Sequence, residues 1–192
     1  MIYKIWWIVR GLLYKPFFGS YGLPSYIGKP IYIGNFKRIY IGKKVRIFPH
    51  VRIEVVDNKS LIVFEDNISI GQNFHITSGA DLIICKNTTI AENVMITNID
   101  HEYQEIDKHI LEQPLITNET KIGENCFIGY GAVIQAGTIL GKHCVVGANA
   151  VVRGTFPAYS VIVGVPARIV KRYDKVSKEW KKTDNKGNFI DE

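Results

Sequence analysis

Five histidines and three cysteines are the side chains of this 192-residue chain best suited to proton transfer, nucleophilic attack or metal binding. An imidazole, with an ordinary pKa of about 6.5, keeps a useful neutral fraction at neutral pH and can act as a general base. His50, His75 and His143 lie inside regularly patterned sequence and read as solvated or packed side chains. His101 and His109 differ, because both lie in one polar stretch that interrupts the pattern, Thr97-Asn98-Ile99-Asp100-His101-Glu102-Tyr103 and onward to Pro114. Asp100 and Glu102 flank His101, but neighbours in extended chain point apart, so neither is assigned as its partner. Cys85, Cys126 and Cys144 lack the clustered or paired spacing of a zinc or disulfide site and read as core packing.

The pattern that holds this stretch has a period of six. Ile116, Ile122, Ile128, Ile134, Leu140, Val146 and Val152 recur at that step, with Gly after four of them at Gly123, Gly129, Gly141 and Gly147. Thr120, Cys126, Ala132, Thr138, Cys144 and Ala150 supply a small or thiol side chain in each unit. Six matches neither the helical period of about 3.6 nor a short alternating strand. It does suit short extended pieces turned at regular corners, three to a triangular coil, with coils stacked about 4.8 Å apart. Upstream the step is less regular, from Ile41, Ile47 and Ile53 through a bulge at Asp57-Asn58-Lys59 to Phe64, Ile70, Ile76 and Leu82. A two-residue slip then leads to Ile84, Ile90 and Ile96, and the gap from Ile96 to Ile116 marks an extruded loop.

The Ile-Gly-x-x-small-x units and the segment Gly164-Val165-Pro166-Ala167-Arg168 resemble the hexapeptide-repeat acyltransferases, including the maltose, galactoside and polysaccharide O-acetyltransferases. The resemblance implies an all-β, left-handed parallel β-helix and a homotrimer with active sites between neighbouring prisms. It implies acetyl-CoA as donor, no metal, and a sugar or glycan hydroxyl as acceptor, in bacterial surface polysaccharide synthesis (O-antigen, capsule or exopolysaccharide). By its position in the extruded loop His101 matches the family's catalytic histidine, with Asn98, Asp100 and His109 placed to meet substrate. Phe127 stands where the family often carries Trp against the pantetheine arm, the backbone at Gly129 and Tyr130 faces the thioester, and Ala148 permits close approach. Arg153, Arg168 and Lys171 are the phosphate candidates.

Two other readings stand beside this one: a non-catalytic β-helix scaffold, and an acyltransferase for an amino sugar or other small acceptor. The γ-type carbonic anhydrases share the fold, but His101 and His109 are eight apart with no third histidine in register.

The chain divides into an N-terminal amphipathic helix and connecting loop (1–30), the β-helix (31–166) with its loop at about 98–115, and a tail (167–192) expected to hold a short helix at Ser177–Lys182 and frayed final residues. No signal peptide or membrane-length apolar run is visible, which implies a cytoplasmic protein. A net charge of +6 suggests an anionic partner, and scattered cations without a recognition helix argue against nucleic acid. Trp6, Trp7 and their flanking cations mark the helix as a candidate for peripheral contact with the inner face of a membrane.

Overall fold

The computed structural model describes residues 2–185 and 187–190, without the side chains of residues 2 and 3. The expected N-terminal and C-terminal segments include Met1, Lys186, Asp191 and Glu192, which lie outside the described residues. The chain forms a left-handed solenoid of about seven coils. Three faces of parallel strands run along it, in sheets of seven, nine and six strands, the last two of the nine being antiparallel additions. The first face begins at Ser20–Tyr21, the second at Tyr26–Ile27 and the third at Tyr32–Gly34. The Gly- and Pro-rich stretch expected to be a connecting loop is therefore already the first coil.

Inward residues stack in columns. On the second face Ile27 pairs with Ile47, Ile47 with Ile70, Ile70 with Ile90, Ile90 with Ile128, and Ile128 with Val146. Each is essentially removed from solvent, and burial of such a side chain contributes about 1.5–3 kcal/mol. These registers also account for the slips in sequence. Ile27 to Ile47 and Ile70 to Ile90 are steps of 20, whereas Ile128 to Val146 is a step of 18. Only the C-terminal coils are made of strict hexads; the N-terminal ones carry longer strands such as Ile39–Ile41 and Ile62–Phe64. The bulge expected at Asp57 is a turn, in which its carboxylate accepts from the Lys59 and Ser60 amides at 2.9 and 2.7 Å.

Corners are turned in the left-handed backbone region, and Asn67, Asn73, Asn87, Asn93, Asn125 and Asn149 occupy it at φ between 56° and 62°. Asparagine tolerates this conformation better than most residues. It also pairs between coils, Asn67 with Asn87 at 2.9 Å and Asn73 with Asn93 at 3.0 Å.

Ile116 corrects the repeat as read from sequence. It lies outside the coils, half exposed, in the strand Leu115–Thr117 that runs antiparallel to Ile99–His101. The hexad train begins at Ile122, and the earlier six-residue step is coincidental.

The N-terminal helix, α1 (Ile2–Tyr14), ends before Pro16, which cannot continue it. It packs on the first two coils through Trp7 against Phe48 and Tyr26 (ring centroids 5.4 and 5.8 Å apart) and Tyr14 against Phe36. Gly11 permits that approach, since a Cβ there would lie 2.2 Å from the Tyr21 hydroxyl oxygen.

The tail is not helical. Ala167–Asp174 folds back antiparallel on Ser160–Gly164, and Glu179–Lys182 adds a further antiparallel strand. The reversal is built on Asp174, whose carboxylate accepts from the Val176 amide, the Ser177 hydroxyl and the Lys181 ammonium at 2.7–2.9 Å. These donors hold its carboxyl well below the usual carboxylate range. Trp180 then meets Tyr173 edge to face, a cross-strand aromatic contact that favours strand over helix. The final segment, expected to fray, is tied by a bridge between Thr183 and Phe189.

Candidate active site

The loop leaves the corner between the third and first faces, after Met95–Thr97, and rejoins at Thr120–Ile122. Its base is a two-stranded hairpin in which Ile99 faces Thr117, Asp100 faces Ile116 and His101 faces Leu115. Two buried amides fix it. Asn98 donates to the Ser78 hydroxyl (3.0 Å) and the Ala80 carbonyl (2.8 Å), and its Oδ1 accepts from the Gly79 amide at 2.9 Å. Gln113 donates to the carbonyls of Glu105 and Lys108, both at 3.0 Å.

Asn98 was expected to meet substrate, but its fully buried amide is already engaged with protein partners. The side chain supports the loop. His109 was placed with substrate as well; it caps the short helix Ile110–Glu112, its Nδ1 accepting from the Leu111 amide at 3.2 Å.

The hairpin sets His101 on the rim of a cleft of about 650 Å³. The floor is the outer side of the third face, where Arg52, Glu54, His75, Thr77 and Thr97 rise from three successive coils. Arg52 forms an ion pair with Glu54, and its guanidinium lies 4.7 Å from the centre of the Tyr32 ring. The His75 Nε2 lies 2.9 Å from the Thr77 hydroxyl. Burial, reinforced by the Arg52 charge and opposed by Glu54, lowers the His75 pKa and favours its neutral form. Sequence reasoning assigned His75 no role in the site; the signal was its alternation with Thr77 on a strand whose outward side lies under the loop. Among the described residues no group holds either ring nitrogen of His101, and Glu102 caps the Tyr103 and Gln104 amides instead.

The coenzyme candidates separate into two places. Phe127, Val145, Val161 and Lys171 follow one another up the second face by register. Arg168 faces Val163 beside them. Gly129, Tyr130 and Ala148 form the adjoining corner, where Gly129 packs so closely on the next coil that a Cβ would lie 2.7 Å from the Ala148 nitrogen. Phe127, Tyr130 and Ala148 are exposed, and among the described residues no acceptor meets the Tyr130 N–H. These residues make one continuous strip. Arg153 stands apart at the loop's corner, 2.9 Å from the Asp100 carboxylate. Asp100, expected to contact substrate, also accepts from the Asn118 amide at 3.3 Å.

All three cysteines are buried and free, Cys126 donating to the Gly141 carbonyl and Cys144 to the Pro157 carbonyl, both at 3.3 Å. Among the described residues no three His, Cys, Asp or Glu side chains converge as a metal site.

A parallel β-helix with one extruded, histidine-bearing loop is compatible with an acyltransferase, and similarity to known proteins identifies that class. Residues 119–154 match the family described as bacterial transferase hexapeptide (six repeats). WbbJ of Escherichia coli K12, provisionally named a lipopolysaccharide biosynthesis O-acetyl transferase, is 33% identical over 162 residues, covering 80% of this chain and 81% of that one. Rv3034c of Mycobacterium tuberculosis, provisionally named an acetyltransferase, is 30% identical over 88% of this chain, which spans 56% of that longer protein. The fold is also that of a mutant of AntD, an N-acyltransferase from Bacillus cereus in complex with dTDP and coenzyme A. There the TM-score is 0.71 at 18% identity, over 86% of this chain and 90% of that one. The chain belongs to the hexapeptide-repeat acyltransferase family.

Proposed function

We propose that the chain transfers an acetyl group from acetyl-CoA to a sugar hydroxyl in the synthesis of a bacterial surface polysaccharide, with His101 as general base. The observation that carries this reading is the hairpin that sets His101 on the rim of a cleft of about 650 Å³ whose floor carries Arg52, Glu54, His75 and Thr77 among apolar side chains. The name of the Escherichia coli relative supports the polysaccharide role.

In this reading the neutral imidazole of His101 takes the acceptor's hydroxyl proton as that oxygen attacks the thioester carbonyl. The tetrahedral intermediate places negative charge on the former carbonyl oxygen, where the Tyr130 N–H is the donor. Collapse breaks the C–S bond, and the imidazolium returns its proton to the departing thiolate. Phe127, Gly129 and Ala148 would seat the pantetheine arm, and Arg168 and Lys171 the phosphates.

The same layout supports a homotrimer. His101 belongs to the corner between the third and first faces, and the coenzyme strip to the corner between the second and third. A second prism packed on the third face would bring one chain's loop to its neighbour's strip. Because acetyl-CoA is the donor, the reaction belongs in the cytoplasm.

The test is thiol release from acetyl-CoA with a panel of sugars, nucleotide sugars, amino sugars and lipid-linked glycans. His101→Ala should lose about 10² to 10⁴ in rate while still binding coenzyme A. An equally active variant would overturn the base assignment, preference for an amino sugar would make the chain an N-acyltransferase, and absence of coenzyme A binding would leave a scaffold.

A further inference from the structure

Two properties mark the end of the solenoid bearing α1. The first is charge. Residues 1–53 contain ten of the chain's 24 Lys and Arg and no Asp or Glu, the first carboxylate being Glu54. The remainder, with 14 cations against 18 carboxylates, is net negative. Because coils stack in chain order, this asymmetry in sequence is an asymmetry in space: α1 and the first coil hold no carboxylate, and the strands of the second hold one, Glu54, paired with Arg52.

The second property is an uncovered apolar face. Only one side of α1 meets the first coil, through Trp7, Gly11 and Tyr14. The other presents Ile5, Trp6 and Leu13 at 58, 67 and 66% exposure, and Phe17 continues it at 59%. Beside it lies a groove of about 460 Å³ lined by Ile8, Leu12, Leu23 and Pro24, with Lys44 and Arg46 also on its wall. No helix among the described residues is long and apolar enough to cross a membrane.

We propose that this end of the solenoid is a docking face for an anionic phospholipid surface. The helix lies across the end of the prism with Trp6, Leu13 and Phe17 entering the interface, as amphipathic helices in a bilayer plane do. Lys15, Lys44 and Arg46 meet lipid phosphates, and the absence of carboxylates from the helix and the first coil removes the repulsion that such a surface would otherwise meet there. An apolar groove bordered by two cations matches the junction of acyl chain and headgroup.

The docking also orders the cleft. Its floor descends from Met95–Thr97 through His75–Ser78 to Arg52–Val55, toward the same end. His101 enters at the level of the fourth coil, three steps or about 14 Å above the first. An acceptor held in the membrane by a lipid tail would thus approach along the cleft toward the histidine. Approach of such an acceptor rests on the proposed acetyl transfer; the docking does not.

The experiment is co-sedimentation of the full chain with vesicles of phosphatidylcholine alone or with added phosphatidylglycerol. The expected result is at least about tenfold stronger partition onto the anionic vesicles, weakening as salt is raised. The exposed double variant Trp6→Ser/Leu13→Ser should lose about tenfold in partition. Its far-ultraviolet spectrum and melting temperature should match the wild type. Brominated acyl chains should quench the tryptophan fluorescence of the wild type and much less that of Trp6→Phe, which tests the same contact without risk to the fold. Equal partition onto both vesicles, or none, overturns the proposal. So does a lipid-free oligomer that the double variant abolishes, which would assign the face to a second copy of the chain. Vesicle binding is read without substrate, so its failure leaves the acetyl-transfer reading standing, and inactivity on every acceptor leaves the docking standing.

Discussion

The Asp100 carboxylate lies 2.9 Å from the Arg153 guanidinium, although 53 positions separate the two residues in the chain. The pair fastens the loop, one residue before His101, to the end of the strand Val151–Val152. With the two side chains 33 and 55% exposed, it contributes at most about 1 kcal/mol to stability. Its effect should therefore fall on positioning. Arg153→Gln should leave the melting temperature nearly unchanged while kcat for acetyl transfer drops about tenfold. A rise in KM for acetyl-CoA at constant kcat would show instead that Arg153 leaves Asp100 to hold a phosphate.

Asn98 is predicted to matter for the loop rather than for acceptor affinity. Asn98→Ala removes three hydrogen bonds and strands the Gly79 N–H, while the Ala80 carbonyl keeps the Ser78 hydroxyl. The expected cost is about 2–3 kcal/mol, read as a lower denaturant midpoint. Residual activity should retain the wild-type KM for acceptor. A variant of full stability with a raised acceptor KM would return Asn98 to the substrate site.

His75 should give the fold a pH dependence of definite sign. Its pKa in the folded chain lies below the ordinary value, so below about pH 6.5 the unfolded chain binds more protons than the folded one. Its stabilising contribution is then complete above that pH and declines as the pH falls through the window beneath it. The imidazole proton signals should titrate with a midpoint below the ordinary one. Arg52→Gln should raise that midpoint, since the Arg52 charge depresses it, and Glu54→Gln should lower it further. Opposite movements in these variants would refute the electrostatic account.

Gly129 and Ala148 separate coil packing from coenzyme binding. A Cβ at Gly129 would meet backbone atoms at 2.7 and 2.8 Å, so Gly129→Ala should cost about 1–3 kcal/mol. Ala148 is exposed, and Ala148→Phe should leave unfolding unaltered while weakening coenzyme A binding about tenfold. Unchanged binding by calorimetry would move the pantetheine arm elsewhere.

The solenoid was readable in the sequence because its inward column is set by side-chain type at fixed steps, from Ile122 to Val152. Ile116 misled because a strand of the loop happens to place an isoleucine six residues earlier. Where coils lengthen to 20 residues, as between Ile70 and Ile90, the hexad breaks and only cross-coil register restores the column. The candidate base was legible from its place in the single long interruption. The roles of Asn98, Gln113 and His75 were not, because each depends on partners or burial that the fold brings together. Nor was the separation of Arg153 from Arg168 and Lys171, since corner assignment requires counting coils of unequal length. The tail reads ambiguously by propensity, and the Asp174 turn with Trp180 against Tyr173 decides it for strand.

Across the loop, Ile90 stacks directly on Ile128, 38 residues later, whereas Ile70 stacks on Ile90 after 20. Closure entropy grows only with the logarithm of length, so this near-doubling costs about 0.6 kcal/mol. The scaffold is thus almost indifferent to how much chain is inserted between its fourth and fifth coils. The segment that carries His101 can thus be lengthened or replaced while the aliphatic column beneath it is inherited intact, which leaves loop and architecture separately evolvable in this protein.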